Sequence, residues 1–128
     1  MIDHISIGVR DLDASTRFYD AVLAPLGYVK MHEREKTVGW GKSDKTHAEL
    51  WINLRPGMKK VSEDSGVHIC LRTRDTKSID EFHAAALKAG GSSDGAPGLR
   101  PEYSKAYYAA FVRDLDGNKI ETVTFVTK

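Results

Sequence analysis

Four side chains of this 128-residue chain have the types and spacing that hold a divalent ion or move a proton: His4, Glu49, His68 and Glu121. His4 lies in Asp3-His4-Ile5-Ser6-Ile7-Gly8-Val9-Arg10-Asp11. The same cadence returns 64 residues later as Val67-His68-Ile69-Cys70-Leu71-Arg72-Thr73-Arg74-Asp75. With five histidines in the chain, a chance histidine at the repeat position has odds of about one in 25. Glu49, in Ala48-Glu49-Leu50-Trp51-Ile52-Asn53-Leu54, is echoed at an offset of 72 by Glu121, in Ile120-Glu121-Thr122-Val123-Thr124-Phe125.

A period of two puts His4, Ser6 and Gly8 on one face of the first strand and His68, Cys70 and Arg72 on the matching face of its repeat. Glu49, Trp51 and Asn53 share a face in the same way, as do Glu121, Val123 and Phe125. If the halves are related by an approximate twofold axis, both imidazoles and both carboxylates converge on one concavity. Such a donor set suits one borderline divalent ion, Zn, Ni, Co, Mn or Fe, rather than calcium or copper(I). His47 has the same side-chain parity as Glu49, and any one of these groups alone is as readily structural. An ionisable pair facing the interior is nevertheless expensive to keep unpaired.

The elements that must carry these residues repeat as strand, helix and three strands. Asp11 or Asp13 caps a helix through Ala24, with Ser15, Phe18, Tyr19, Val22 and Leu23 as its buried stripe, and Pro25 and Gly27 end it. Strands are predicted at 28–34, 37–41 and 46–54, and residues 55–66 have the composition of a connecting loop. The second half repeats this with a strand over 67–73 and a helix opened by a Ser78/Glu81 capping box, burying Ile79, Phe82, His83, Ala86 and Leu87. The difference of offsets places about eight extra residues in 92–103, a Gly- and Pro-rich stretch of which 95–102 is read as a lid or a surface loop. Strand character resumes over 106–112, and Asp116-Gly117 turns the chain into a last strand over 119–126. The expectation is one α+β domain, 1–128, whose modules, 1–56 and 66–128, close a mixed sheet between them.

Nineteen basic and eighteen acidic residues, spread without long runs, leave no electrostatic footprint for nucleic acid or a membrane surface. Cys70 is the only cysteine, so no intrachain disulfide or cysteine-based zinc site is available, which suits a reducing compartment. No apolar run is long enough to span a bilayer, and strand-like sequence begins at Ile2 with no signal-peptide pattern. The expected location is the cytoplasm.

Asp3-His4, the run Val9-Arg10-Asp11-Leu12 leading to Phe18-Tyr19, Gly66-Val67-His68-Ile69 and the stretch Phe111-Val112-Arg113-Asp114-Leu115-Asp116-Gly117-Asn118-Lys119-Ile120-Glu121 together resemble the vicinal oxygen chelate superfamily. That superfamily includes glyoxalase, methylmalonyl-CoA epimerase, fosfomycin-resistance transferases, extradiol dioxygenases and bleomycin-resistance proteins. The resemblance implies paired βαβββ modules in a mixed, partly open barrel-like sheet with helices outside. It also implies a homodimer and a metal held by inward residues of the first and last strand of each module. His4, Glu49, His68 and Glu121 fall on the four-ligand pattern of its glyoxalase-like members, while other members use three ligands.

Gly8 stands where glutathione-dependent glyoxalases tend to have an arginine, so a lactoylglutathione lyase is not expected. Asn53 fits a substrate-contacting position. Trp40, Trp51, Tyr103, Tyr107 and Tyr108 are candidates for an apolar wall, Arg72 or Arg100 for an anionic substrate group, and Cys70 for a place near the metal. These expectations add up to a small-molecule isomerase, epimerase or lyase in which the ion is a Lewis acid and Glu121 or Glu49 the base. The rivals are a metal-free sequestration protein of the bleomycin-resistance type and an extradiol dioxygenase. Pairing of the modules within one chain and across a dimer are both compatible with the sequence.

Overall fold

The repeated hydrophobic pattern resolves into two copies of one topology. The computed structural model describes residues 1–126. The first copy runs β1 (Ile5–Val9), α1 (Leu12–Leu23), β2 (Tyr28–Glu33), β3 (Thr37–Lys42) and β4 (Leu50–Leu54). The second runs β5 (His68–Arg72), α2 (Thr76–Lys88), β6 (Ser92–Leu99), β7 (Tyr107–Arg113) and β8 (Lys119–Phe125). Each forms its own four-stranded mixed sheet, in the orders β1-β4-β3-β2 and β5-β8-β7-β6, with its first and last strands parallel. The α+β class and the paired βαβββ modules are as the sequence implies.

The sheets share no ladder and are not closed into a barrel. The arrangement is open, as expected of a partly open sheet; each sheet keeps its own helix and the two helices touch. The reason is a common apolar core. Phe18, Tyr19 and Val22 of α1 and Phe82 and Ala86 of α2 are buried together with Val9, Ile52, Val112 and Ile120 from both sheets. Burial of large side chains at about 25 cal/mol per Å² makes this shared core the main force joining the modules.

Local chemistry sets the ends of the elements. The Asp11 carboxylate accepts the Ala14 N–H at 3.0 Å and starts α1, and the chain leaves it through a 3-10 turn, Ala24–Leu26, to Gly27 at φ +84°. α2 begins earlier than the capping box predicts, because Asp75 caps it, accepting from both the backbone N–H and the hydroxyl of Ser78. Leu87 is 45 % exposed, and Ala85 and Ala89 pack on the core in its place. Residues 92–99 are strand rather than loop, lying on the sheet edge with register shifts at Ser93/Gly95 and Gly95/Gly98. An edge strand tolerates Pro97 because its missing N–H need not face a partner. Among the described residues no helix is long and apolar enough to cross a membrane.

A polar clasp complements the apolar core. The Arg10 backbone N–H and Nε both donate to Asp116 Oδ1, at 3.0 and 2.7 Å. The Tyr19 hydroxyl donates to Asp114 Oδ2 at 2.5 Å, and Asn118 Nδ2 donates to the Gly8 carbonyl. Burial pushes the Asp114 carboxyl above its usual range, although the bonds from Tyr19 and Asn118 act against it. Asp116→Ala is expected to lower the urea unfolding free energy by about 2–3 kcal/mol, because it strands the Arg10 donors. Removing the exposed Lys30–Glu33 pair is expected to cost less than about 1 kcal/mol.

Candidate functional site

The parallel ladders fix which residues of the two modules correspond. Ile5 lies opposite Leu50 and Ser6 opposite Trp51; Ile69 lies opposite Ile120 and Cys70 opposite Glu121. The counterpart of Glu121 is thus Trp51, and the counterpart of Glu49 is Lys119. The last strands are offset by 70 residues and the first by 64, so the second module holds six extra residues rather than eight.

The second module carries a built polar site. Glu121 is only 2 % exposed. Its Oε1 lies 2.9 Å from His68 Nε2, and its Oε2 accepts the Tyr107 hydroxyl at 2.5 Å. Burial, then the bond to Glu121, pushes the Tyr107 phenol well above its ordinary value, so it remains a donor at neutral pH. These groups line a cavity of about 550 Å³ with Arg100, Tyr103, Phe111 and Lys119. Arg100 lies over the Phe111 ring and donates to the Ala96 and Gly98 carbonyls, which pins the β6 edge. Lys119 also lies over Phe111 and pairs with Asp94 at 3.1 Å.

His4 lies elsewhere. It borders a separate cavity of about 420 Å³ in the first module, with Asp3, Ser6, His32, His47 and Trp51. His4 Nδ1 and His47 Nε2 both bond Asp3 Oδ1, at 2.6 and 2.8 Å, and these bonds, from His4 and then His47, hold the Asp3 carboxyl below its usual range. The Trp51 indole stacks on His32 at 5.4 Å and lies under the Arg34 guanidinium. Gly39 makes room for it, since a Cβ there would stand 2.8 Å from the indole.

The single chain therefore brings His68 and Glu121 together, and leaves His4 in another cavity. Glu49 lines neither cavity; its carboxylate instead acts on Tyr28, whose phenol is raised first by burial and then by that charge. Asn53 spends its amide on Ser6 Oγ and the Ile7 carbonyl and accepts from Arg55, so it ties β1 to β4. Arg72 lies over Phe125 and faces a third cavity, beside Lys42 and Arg74. Arg100 and Tyr103 do border the His68 cavity, whereas Trp51 floors the His4 cavity. Trp40 is core, its indole N–H bonded to Asp20, and Tyr108 bonds Asp80. Sequence reasoning named Tyr107 only as wall. Its bond to Glu121 depends on the β7–β8 register, which places Phe111 opposite Glu121 and Tyr107 opposite Phe125.

Two sheets, each backed by a helix and each with a histidine beside a carboxylate, define a paired-module α+β protein. The chain belongs to the Glyoxalase/Bleomycin resistance protein/Dioxygenase superfamily, whose profile matches residues 1–122. It is similar to a glyoxalase/bleomycin resistance protein from Albidiferax ferrireducens T118, at 28% identity and a TM-score of 0.80, over 94% of this chain and 96% of that one. The fosfomycin resistance protein FosX from Mesorhizobium loti shares the fold at 20% identity and a TM-score of 0.69, over 98% and 92% of the two chains. A glyoxalase I variant from Zea mays shares it at 24% identity and a TM-score of 0.72, over 94% of this chain and 44% of that longer one. No curated protein matches the chain.

Cys70 gives a check on this environment. The residue is exposed, yet loss of water around its sulfur, and then the Glu121 carboxylate, push its thiol up to about 12. Iodoacetamide alkylation is expected to be slow at pH 8 and to rise about tenfold per pH unit through pH 10, without the plateau of an ordinary thiol near 8.5. Glu121→Gln is expected to speed it at each pH.

Proposed function

We propose that this chain is a metal-dependent enzyme that acts on a small molecule through two neighbouring oxygens, as an isomerase, epimerase or lyase. The observation that carries the reading is the buried Glu121 carboxylate, holding His68 by one oxygen and Tyr107 by the other. Its fit to an ion can be tested on the donors themselves. Two ligands at right angles, each 2.0–2.2 Å from one ion, stand about 3 Å apart, and His68 Nε2 and Glu121 Oε1 are 2.9 Å apart. An imidazole beside a carboxylate suits Zn, Ni, Co, Mn or Fe.

His68 and Glu121 would hold the ion, and His4 would complete the set from a second copy of the chain. In one copy the His4 and His68 cavities are separate, so a homodimer that sets the first module of one protomer against the second module of its partner is the arrangement that joins them. Glu49 is left out of this set, because it lines neither cavity and the ladder puts Trp51, not Glu49, at the position of Glu121.

When bound, the ion supplies Lewis acidity toward a carbonyl and the oxygen next to it. The protein's own groups do the rest. Glu121 Oε2 would take a proton from the carbon beside that carbonyl and return it to the substrate, and Tyr107 orients that carboxylate by donating to it. Arg100 and Lys119, at the Phe111 wall, favour an anionic substrate group. A cavity of about 550 Å³ is in the range of small-molecule sites. The planar stack of His32 and Trp51 favours a second reading, sequestration of a flat ligand without turnover.

Protein purified without chelator or histidine tag is expected to carry about one ion per chain, and His68→Ala to lose it. Glu121→Gln is expected to lower turnover of vicinal hydroxy-carbonyl or CoA-thioester substrates by about 10²–10⁴-fold. Failure to take up any of Zn, Ni, Co, Mn and Fe would overturn the enzyme reading in favour of sequestration, which thermal shift against flat ligands would then measure.

A further inference from the structure

The first module lacks a carboxylate where the second has one, since Trp51 occupies the position of Glu121 and Glu49 does not line the His4 cavity. Donors are gathered beside His4 all the same. Asp3 Oδ1 lies 2.6 Å from His4 Nδ1 and 2.8 Å from His47 Nε2, and the donor atoms of the three residues all lie within 4.8 Å of one another. They come from two separate segments, the entry to β1 and the approach to β4, and all three border the Trp51 cavity.

We infer that Asp3, His4 and His47 form the first module's share of a divalent transition-metal site, with Asp3 and His47 in the place of Glu49. Two imidazoles and one carboxylate leave open coordination positions and select a borderline ion rather than calcium or magnesium. Ligation takes neutral imidazoles and an ionised carboxylate, so protons compete with the ion and its uptake would weaken as the pH falls. His47 is exposed and free of the core, so its loss leaves the fold intact. The β1–β4 ladder starts only at Ile5 and Leu50, which leaves the Asp3 and His47 backbones room to close on an ion.

This inference rests on the metal-dependent reading above only through His4. Its test is titration of the chelator-stripped, tag-free full-length chain with cobalt(II) chloride, read by the visible absorption of the bound ion and by competition with a chromophoric chelator. Wild type is compared with His47→Ala, Asp3→Asn, Glu49→Gln and His68→Ala, each checked by thermal melting. His47→Ala and Asp3→Asn are each expected to weaken cobalt binding at least about tenfold, while Glu49→Gln leaves it unchanged. If Glu49→Gln loses the ion and His47→Ala keeps it, this inference is overturned and the enzyme reading stands. If His47→Ala loses the ion and His68→Ala binds like wild type, the site is complete within the first module and it is the shared-site reading that fails. Absence of cobalt uptake by wild type overturns both.

Discussion

Two buried carboxylates on the turn between β7 and β8 determine how the rest of the molecule is arranged. A carboxylate removed from water must be met by charge or by hydrogen bonds; Asp116 finds its partners in the other module, and Asp114 adds one from there to those of its own turn. Asp116 takes Arg10 at the end of β1, and Asp114 takes Tyr19 in the middle of α1. The connecting segment is drawn to the same turn, because the Val61 N–H donates to the Asp116 carbonyl. Gly117, at φ +87°, gives the turn a left-handed residue that a side chain would strain. Held at these points, the modules meet through their helices, and the faces carrying His4 and His68 stay apart in one chain. The separation of His4 and His68 into two cavities follows from this clasp.

The duplication, the strand and helix order and the parity of the candidate residues were all legible in the sequence, because periods of 2 and 3.6 are written in side chains. Register was not. A slip of one residue would have sent the polar set to the core and would have shown in the pattern, but a slip of two keeps every side chain on its face. That is the error in pairing Glu49 with Glu121. The backbone ladder sets Glu121 against Trp51, and no periodicity distinguishes the two alignments. The same limit hid Tyr107, whose hydroxyl meets Glu121 only through a diagonal across β7 and β8.

Residues 92–99 illustrate a different limit. Composition read them as a loop, since Gly95, Pro97 and Gly98 are poor strand formers. On a sheet edge those penalties are small, and the two register shifts absorb the misfit. Arg100 then holds the bent edge by donating to the Ala96 and Gly98 carbonyls. What looked like a lid is the wall that carries Arg100 to the His68 cavity.

The two halves kept their histidine and diverged in what stands beside it. In the second, a buried carboxylate with two partners is a rigid group, able to hold a proton or a charge at a fixed point. In the first, an indole takes that position, and Gly39 is needed to seat it. A carboxylate could not simply be added there without filling the space of the indole or losing the stack on His32. The acidic group beside His4 accordingly comes from Asp3, outside the ladder, where the backbone is not constrained by pairing. One module thus holds a fixed polar group where the other presents a flat indole face, so variation around Trp51 leaves Glu121 undisturbed.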